Sequence, residues 1–301
     1  MIYMDVHGDL GNQLFEYACA RQLQFKTGQK ICLNAYSRMK KNGSRTDLDA
    51  KWGGLPILDY RLNDKVEVTT TEKLPWYADI SNPIICVLKK IIPYTFYDFM
   101  KRRGVFIWQK EECRVVTDYK FDDYYLCGWF QSTGYFNDIS DILREEFEPK
   151  YPEKACNKAL YDIIDNTESV CVTVRRGNYT LDKFKKKYYL CDPDYFKRAA
   201  DQMQKMVPDA TYVVFSDDVD WCKENIILPG KTYYESGKDE VWEKLRLMKR
   251  CKHFIISNSS FSWWAQYLSD NADKKVIAPS RWNTTSTSRS IYDDAWTLID
   301  V

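Results

Sequence analysis

Histidine is nearly absent from this chain of 301 residues: His7 and His253 are the only two. That shortage excludes H-E-x-x-H and other zinc sites built on paired histidines, and no Ser-His-Asp arrangement is apparent. Among the ten cysteines no two form C-x-x-C. Several, such as Cys32 in Lys30–Leu33 and Cys171 in Ser169–Val172, lie inside apolar runs and read as small buried hydrophobes rather than a disulfide framework. A reducing compartment is the expectation. Long apolar runs are missing too. The longest, Ile84–Leu88, stops at Lys89-Lys90, so nothing here is built to span a membrane. Met1–Asp5 shows no signal-peptide pattern. Charge of one sign is also lacking: the net charge is +1, so bulk charge does not favour nucleic acid. No repeat period or low-complexity tract is visible.

What is present is globular. Hydrophobic residues make up 45% and charged residues 29%, and the length suffices for two domains with their own cores. The aromatics are many, 10 Trp, 22 Tyr and 14 Phe, and core packing is the expected use of most of them, although such a surplus also lines carbohydrate or base-stacking sites. The stretch 84–103 mixes Ile, Tyr and Phe with Lys89, Lys90, Lys101, Arg102 and Arg103. It suits a solvated helix face or, alternatively, peripheral contact with an anionic membrane.

The C-terminal half alternates. Strand-like runs at 170–174, 212–215, 231–234, 253–256 and 275–278 are separated by helix-like segments at 193–206, 219–225, 239–250 and 260–268. That alternation predicts a parallel sheet with right-handed crossovers, whose ligands bind outside the carboxyl ends of the strands. Three polar clusters fall at those ends: Arg175-Arg176, Ser216-Asp217-Asp218 and Ser257–Ser260. Paired guanidinium groups suit a diphosphate, and a hydroxyl-rich turn opening a helix suits an anion. The N-terminus repeats the idea, with a strand at 2–6, a turn over His7–Gln13 containing Gly8 and Gly11, and a helix from about Leu14 to Lys26. The middle, Lys51–Phe121, reads as an irregular or helical insertion. Glu148–Pro152 is the best boundary, giving domains 1–150 and 151–301.

Five segments follow one another along the chain: Gly11-Asn-Gln-Leu-Phe-Glu-Tyr-Ala18, Gly128-Trp-Phe-Gln131 with Tyr135-Phe136, Val174-Arg-Arg-Gly177, Phe215-Ser-Asp-Asp218, and Ser257-Asn-Ser-Ser-Phe-Ser-Trp-Trp264. In this order they resemble the family 11 glycosyltransferases, the α-1,2-fucosyltransferases. The resemblance runs from about residue 8 to the C-terminus. It implies an α/β, GT-B-like fold of two Rossmann-type domains with a cleft between them, the first on the acceptor side and the second binding the donor. It implies GDP-fucose as donor, an oligosaccharide as acceptor, inversion on transfer, and neither metal nor cofactor. Arg175 is then the arginine on the β-phosphate. The donor-binding set it implies is Gly11, Asn12, Gln13, Thr173, Arg175, Arg176, Asp217, Asp218, Ser257, Asn258, Ser259, Ser260 and Phe261. Asp217 and Asp218 would hold guanine or ribose groups, a helix N-cap being the alternative for Asp218. The lack of an anchor and stem points to a cytoplasmic enzyme building surface glycans, at the inner face of the membrane if 84–103 touches lipid.

Two departures mark the chain. The family pattern His-x-Arg-Arg-Gly-Asp-Tyr is here Thr173-Val-Arg-Arg-Gly-Asn178-Tyr179, and Asn178, in a catalytic position, cannot act as a base. His7 and Asp9 stand where glycines are common, which makes Asp9 a candidate base. No base is needed if the transition state is strongly oxocarbenium-like. Two other readings remain at this point. Asp47-Leu-Asp49, Asp192-Pro-Asp194 and Asp218-Val-Asp220 match the D-x-D pattern of metal-dependent sugar transferases. Asn178 and Thr173 also fit a non-catalytic nucleotide-sugar-binding protein.

Overall fold

The computed structural model describes residues 1–36, 54–70, 74–79, 82–107, 116–117, 119–182, 188–284 and 290–301. They form two units with a parallel sheet each, in the main Met1–Phe147 and Glu148–Val301.

In the first unit the apolar run Ile2–Asp5 forms β1 and passes through Gly8, at φ +63°, into helix α1, Leu10–Thr27. A side chain at position 8 would meet Asn12 at 2.3 Å and Trp129 at 2.9 Å, so this turn takes glycine for space as well as for φ. Gly28, left-handed at φ +70°, closes the helix by donating its N–H to the Gln24 carbonyl. Strand β2 is Ile31–Asn34, β3 Val66–Thr69, β4 Val105–Ile107 and β5 Tyr124–Cys127. The sheet order is β3-β2-β1-β5-β4. Between β3 and β4 lie helices α2, Pro83–Ile91, and α3, Pro93–Lys101, and after β5 comes α4, Ser140–Glu146.

Two expectations are corrected here. The stretch 51–121 is no insertion into the fold, since it supplies both edge strands of the sheet, β3 and β4. Helix α1 also starts at Leu10 rather than Leu14, so Gly11, Asn12 and Gln13 are its first turn and not a loop.

The second unit opens with α5, Lys158–Asn166, and β6, Glu168–Val174, buried at every residue but the first. Then come α6, Pro193–Met206, β7, Ala210–Ser216, α7, Val219–Asn225, and β8, Thr232–Tyr234. The rest is α8, Val241–Arg250, β9, His253–Ile255, α9, Ser260–Tyr267, β10, Val276–Pro279, and β11, Thr297–Ile299. Helix α6 shows why these segments are helical. Pro193 sits at the first turn, the Asp192 carboxylate accepts from the Tyr195 N–H at 2.8 Å, and Tyr195, Phe196, Ala199, Ala200 and Met203 recur on one buried face. That face packs on Val170, Val172, Val214 and Ile255. Each large apolar side chain so buried contributes about 1.5–3 kcal/mol.

All strand pairs in both sheets are parallel. In the second unit the order is β8-β7-β6-β9-β10-β11. This is the doubly wound order, in which the succession reverses between β6 and β9 and opens a crevice at their carboxyl ends. In the first unit the reversal lies between β1 and β5.

Candidate active site

Both strands flanking the reversal in the second unit end in polar clusters. Strand β6 runs into Arg175-Arg176-Gly177. The Arg175 guanidinium meets the Asp217 carboxylate, Nη1 to Oδ2 at 2.7 Å, and lies 5.8 Å from the centre of the Tyr179 ring. The other Asp217 oxygen accepts the Arg176 backbone N–H at 2.9 Å. Arg176 donates from Nε to Asp218 at 3.0 Å and stacks over Trp221 at 3.5 Å. Asp218 also accepts from the Trp221 N–H at 3.4 Å, so it caps α7. Gly177 keeps room for this network, because a Cβ there would come within 2.5 Å of Asp217 Oδ2. A partly exposed ion pair is worth little by itself. What this one does is hold a planar fork in a fixed orientation at a strand end.

Strand β9 runs into Ser257–Ser260. Ser259 stands at the N-cap of α9 without a side-chain capping bond, and the first intrahelical bond is from the Trp263 N–H to the Ser259 carbonyl. The amides of Ser260, Phe261 and Ser262 precede that bond, so they form the electropositive end of the helix. Trp263 and Trp264 are buried and anchor the helix behind it. The two strand ends are tied together. The Ser257 N–H donates to Thr173 Oγ1 at 3.1 Å, and the Tyr179 hydroxyl donates to the Asn258 carbonyl at 3.2 Å. Asn258 is wholly engaged in support, its amide nitrogen donating to the Tyr189 and Trp282 carbonyls at 3.0 and 2.9 Å.

The first unit has its own cluster at its reversal point, around His7. The His7 ring lies 3.1 Å from Asp5 through Nε2 and 3.6 Å from Glu16 through Nδ1, with the Trp129 ring 5.8 Å away. The His7 backbone N–H donates to both Glu16 oxygens at 3.2 and 3.0 Å. Burial acts to lower the His7 pKa, but the hydrogen bonds to Asp5 and Glu16 outweigh it and raise the value to about 10. Burial pushes the Glu16 carboxyl up to about 7 against the opposing pull of His7. Asp5 Oδ1 is buried and has no hydrogen-bond partner among the described residues. At neutral pH His7 is therefore a fixed imidazolium rather than a proton acceptor.

A profile described as glycosyl transferase family 11 matches residues 1–300. The chain belongs to that family. The O-antigen biosynthesis glycosyltransferase WbnK of Escherichia coli is 27% identical over 315 residues, 98% of this chain and 99% of that protein. An α-1,2-colitosyltransferase of the same organism is 27% identical over 91% of this chain and 90% of its own length. Among solved structures, the fucosyltransferase NodZ from Bradyrhizobium aligns with TM-score 0.50 at 14% identity, over 88% of this chain and 92% of that one. That likeness concerns the fold, the GT-B type with two Rossmann-like domains.

In this family 11 glycosyltransferase the residues singled out from sequence divide into groups. Arg175, Arg176, Asp217 and Asp218 form one network, and Ser259, Ser260 and Phe261 form the helix-end turn. Thr173, Ser257 and Asn258 are buried beneath them as supports. Both carboxylates of the Asp217-Asp218 pair are held by the arginines. Gly11, Asn12 and Gln13 lie in the other unit. There Asn12 accepts from Gln131 at 2.9 Å, while Gln13 donates to the Gly8 carbonyl at 3.1 Å and accepts from the Ile57 N–H at 3.3 Å. Asp9 is exposed at the N-cap of α1 and makes no side-chain capping bond. The side chain of Asn178 lies outside the described residues.

Two of the D-x-D triplets have ordinary structural duties. Asp192 caps α6, Asp194 pairs with Arg198 at 2.9 Å, Asp218 caps α7, and Asp220 pairs with Lys223 at 3.1 Å. Asp47 and Asp49 lie outside the described residues. Among the described residues no group of three or more His, Cys, Asp or Glu is placed to hold a metal ion.

Sequence reasoning missed the Asp5–His7–Glu16 cluster. The available signal was Glu16, a carboxylate at an otherwise inward position of a helix nine residues after a lone histidine.

Proposed function

We propose that this enzyme transfers L-fucose from GDP-fucose to the 2-hydroxyl of a terminal galactoside, inverting the anomeric centre and using no metal. The observation that carries the reading is the pairing of Arg175 with the uncapped N-terminus of α9 on the two strands that flank a doubly wound reversal. A diphosphate fits that pairing, because guanidinium and helix-end amides both stabilise phosphate charge. As the bond from fucose C1 to the β-phosphate oxygen breaks, its electron pair goes to GDP, and Arg175 and the Ser260–Ser262 amides stabilise the growing charge. The galactose 2-hydroxyl attacks C1 from the opposite face and gives up its proton. We assign that proton to Asp9, the exposed carboxylate at the end of the first unit's β1–α1 turn. The donor then belongs to residues 151–301 and the acceptor to residues 1–150, in a cytoplasmic enzyme.

The colitosyltransferase relative supports a second reading, in which colitose, the 3-deoxy counterpart of fucose, is the sugar transferred. Transfer assays with the two GDP-sugars in parallel, each with excess EDTA, separate these readings. A site that hydrogen-bonds the fucose 3-hydroxyl should prefer GDP-fucose by up to about 10⁴-fold, and activity should persist in EDTA. Preference for GDP-colitose would reassign the donor. Loss in EDTA with recovery on adding manganese would restore the metal-dependent reading.

Asn178 gives a further expectation. Asn178→Asp should bring no gain in kcat and should raise the KM for donor, since it adds negative charge beside a diphosphate in a low-dielectric site. A rise in kcat with a new carboxylate limb in the pH profile would instead make position 178 the site of the base.

A further inference from the structure

Half of the large hydrophobic side chains exposed among the described residues fall in one stretch: Trp76, Ile84, Val87, Ile91, Ile92 and Phe99. Helix α2 explains the concentration. Ile85 faces inward and joins Ala78, Phe96, Met100 and Val105 in a small core, with Leu88 packed against it. Ile84, Val87 and Ile91, spaced by three and four, form a second apolar stripe that leaves the core, with 59%, 53% and 71% exposure. Residues at that spacing share one helix face. An ordinary surface helix is polar there.

The charge carried by the two helices is one-sided. From 82 to 103 the sequence holds Lys89, Lys90, Lys101, Arg102 and Arg103 against a single carboxylate, Asp98, in a protein whose net charge is +1. Lys90, Lys101, Arg102 and Arg103 are exposed. Arg103 lies over the exposed Phe99 ring, 3.6 Å from its centre. Cations thus end both helices, and the apolar stripe lies on the first.

We infer that α2 and α3 form a peripheral docking surface for an anionic lipid bilayer. Ile84, Val87 and Ile91 enter the headgroup–acyl boundary, and the lysines and arginines engage lipid phosphates. An apolar stripe with a cationic border suits that interface, because burial and charge attraction act on the same helix. A protein partner or a second copy of this chain would also cover the stripe. Of these, the anionic surface is the one that the cation excess selects.

The test is flotation of the full chain with phosphatidylcholine vesicles, with and without phosphatidylglycerol. Binding should be at least about tenfold stronger with the anionic lipid and should weaken as salt is raised. Val87→Ser with Ile91→Ser removes apolar area without changing charge, and Lys90→Gln with Arg102→Gln removes charge without touching the stripe. Each pair should lower binding severalfold, with circular dichroism and melting temperature unchanged. Failure to bind anionic vesicles, or equal binding to neutral ones, overturns the inference. So does a concentration-dependent dimer in sedimentation that the serine pair abolishes while vesicle binding persists.

Discussion

Replacing Arg175 by alanine should lower kcat/KM for fucosyl transfer by about three orders of magnitude, because one preorganised donor at a developing anion contributes roughly 3–4 kcal/mol in a dry site. The expectation follows from placement. Arg175 stands just past the last residue of β6, at the reversal of the sheet, with Asp217 fixing its fork. In the proposed reaction the leaving group is a diphosphate, and the neighbouring cation Arg176 is stacked on Trp221 and tied to Asp218. Arg175→Lys should recover only part of the loss, since an ammonium cannot reproduce the planar two-pronged contact. Asp217→Asn keeps the shape but loosens the fork, so it should act less strongly and mainly on donor KM. Steady-state kinetics with varied GDP-fucose separate these effects. Near-normal turnover in Arg175→Ala would remove Arg175 from the donor site.

The second large effect is on stability. His7→Ala should destabilise the protein by about 3 kcal/mol at neutral pH, because it leaves the buried side chains of Asp5 and Glu16 without the cation that both of them meet. The pH dependence has a definite sign. The folded state keeps the Glu16 proton up to about 7 where the unfolded chain releases it near 4.5. It keeps the His7 proton up to about 10 where the unfolded chain releases it near 6.5. The folded state therefore binds more protons throughout, and stability falls as pH rises across this range. The His7 contribution is complete below 6.5 and is lost as pH approaches 10. Urea unfolding at a series of pH values should show a decline between pH 7 and 10 that His7→Ala flattens. A change below about 0.5 kcal/mol in the variant would mean the cluster contributes no more than an ordinary surface group.

How much of this was legible in sequence depends on how each segment is buried. Strands β6 and β7 are hidden on both faces, so their unbroken apolar runs announced them, and the Asp192-Pro193 start announced α6. Strand β3 was illegible because none of Val66, Glu67, Val68 and Thr69 is fully buried, and β4 is only three residues long. An edge strand held by one neighbour needs no apolar alternation. Strand β11 at Thr297–Ile299 was missed for the same reason. The N-terminal turn was misjudged by four residues, since Gly8 and Gly11 looked alike in sequence. Only Gly8 has positive φ, whereas Gly11 is an ordinary helical residue. At the site, the strand-end positions of Arg175 and Ser259 could be read directly. The partners of Asp217 and Asp218 could not, because they depend on which residues β6 and β7 bring side by side: Val174 pairs with Ser216, which sets Arg175 beside Asp217. The His7 cluster depends in the same way on α1 folding back along β1, which places Glu16 under the residue that follows Val6.

The structure of the product tests the proposed transfer most directly. GDP-fucose carrying a ¹³C label in the sugar is incubated with a β-galactoside acceptor and excess EDTA, and the product linkage is read by NMR. The expected product carries an α-anomeric fucose correlated to galactose C2. A β-anomer, attachment at another galactose position, or no transfer to any galactoside while GDP-fucose stays intact would contradict it.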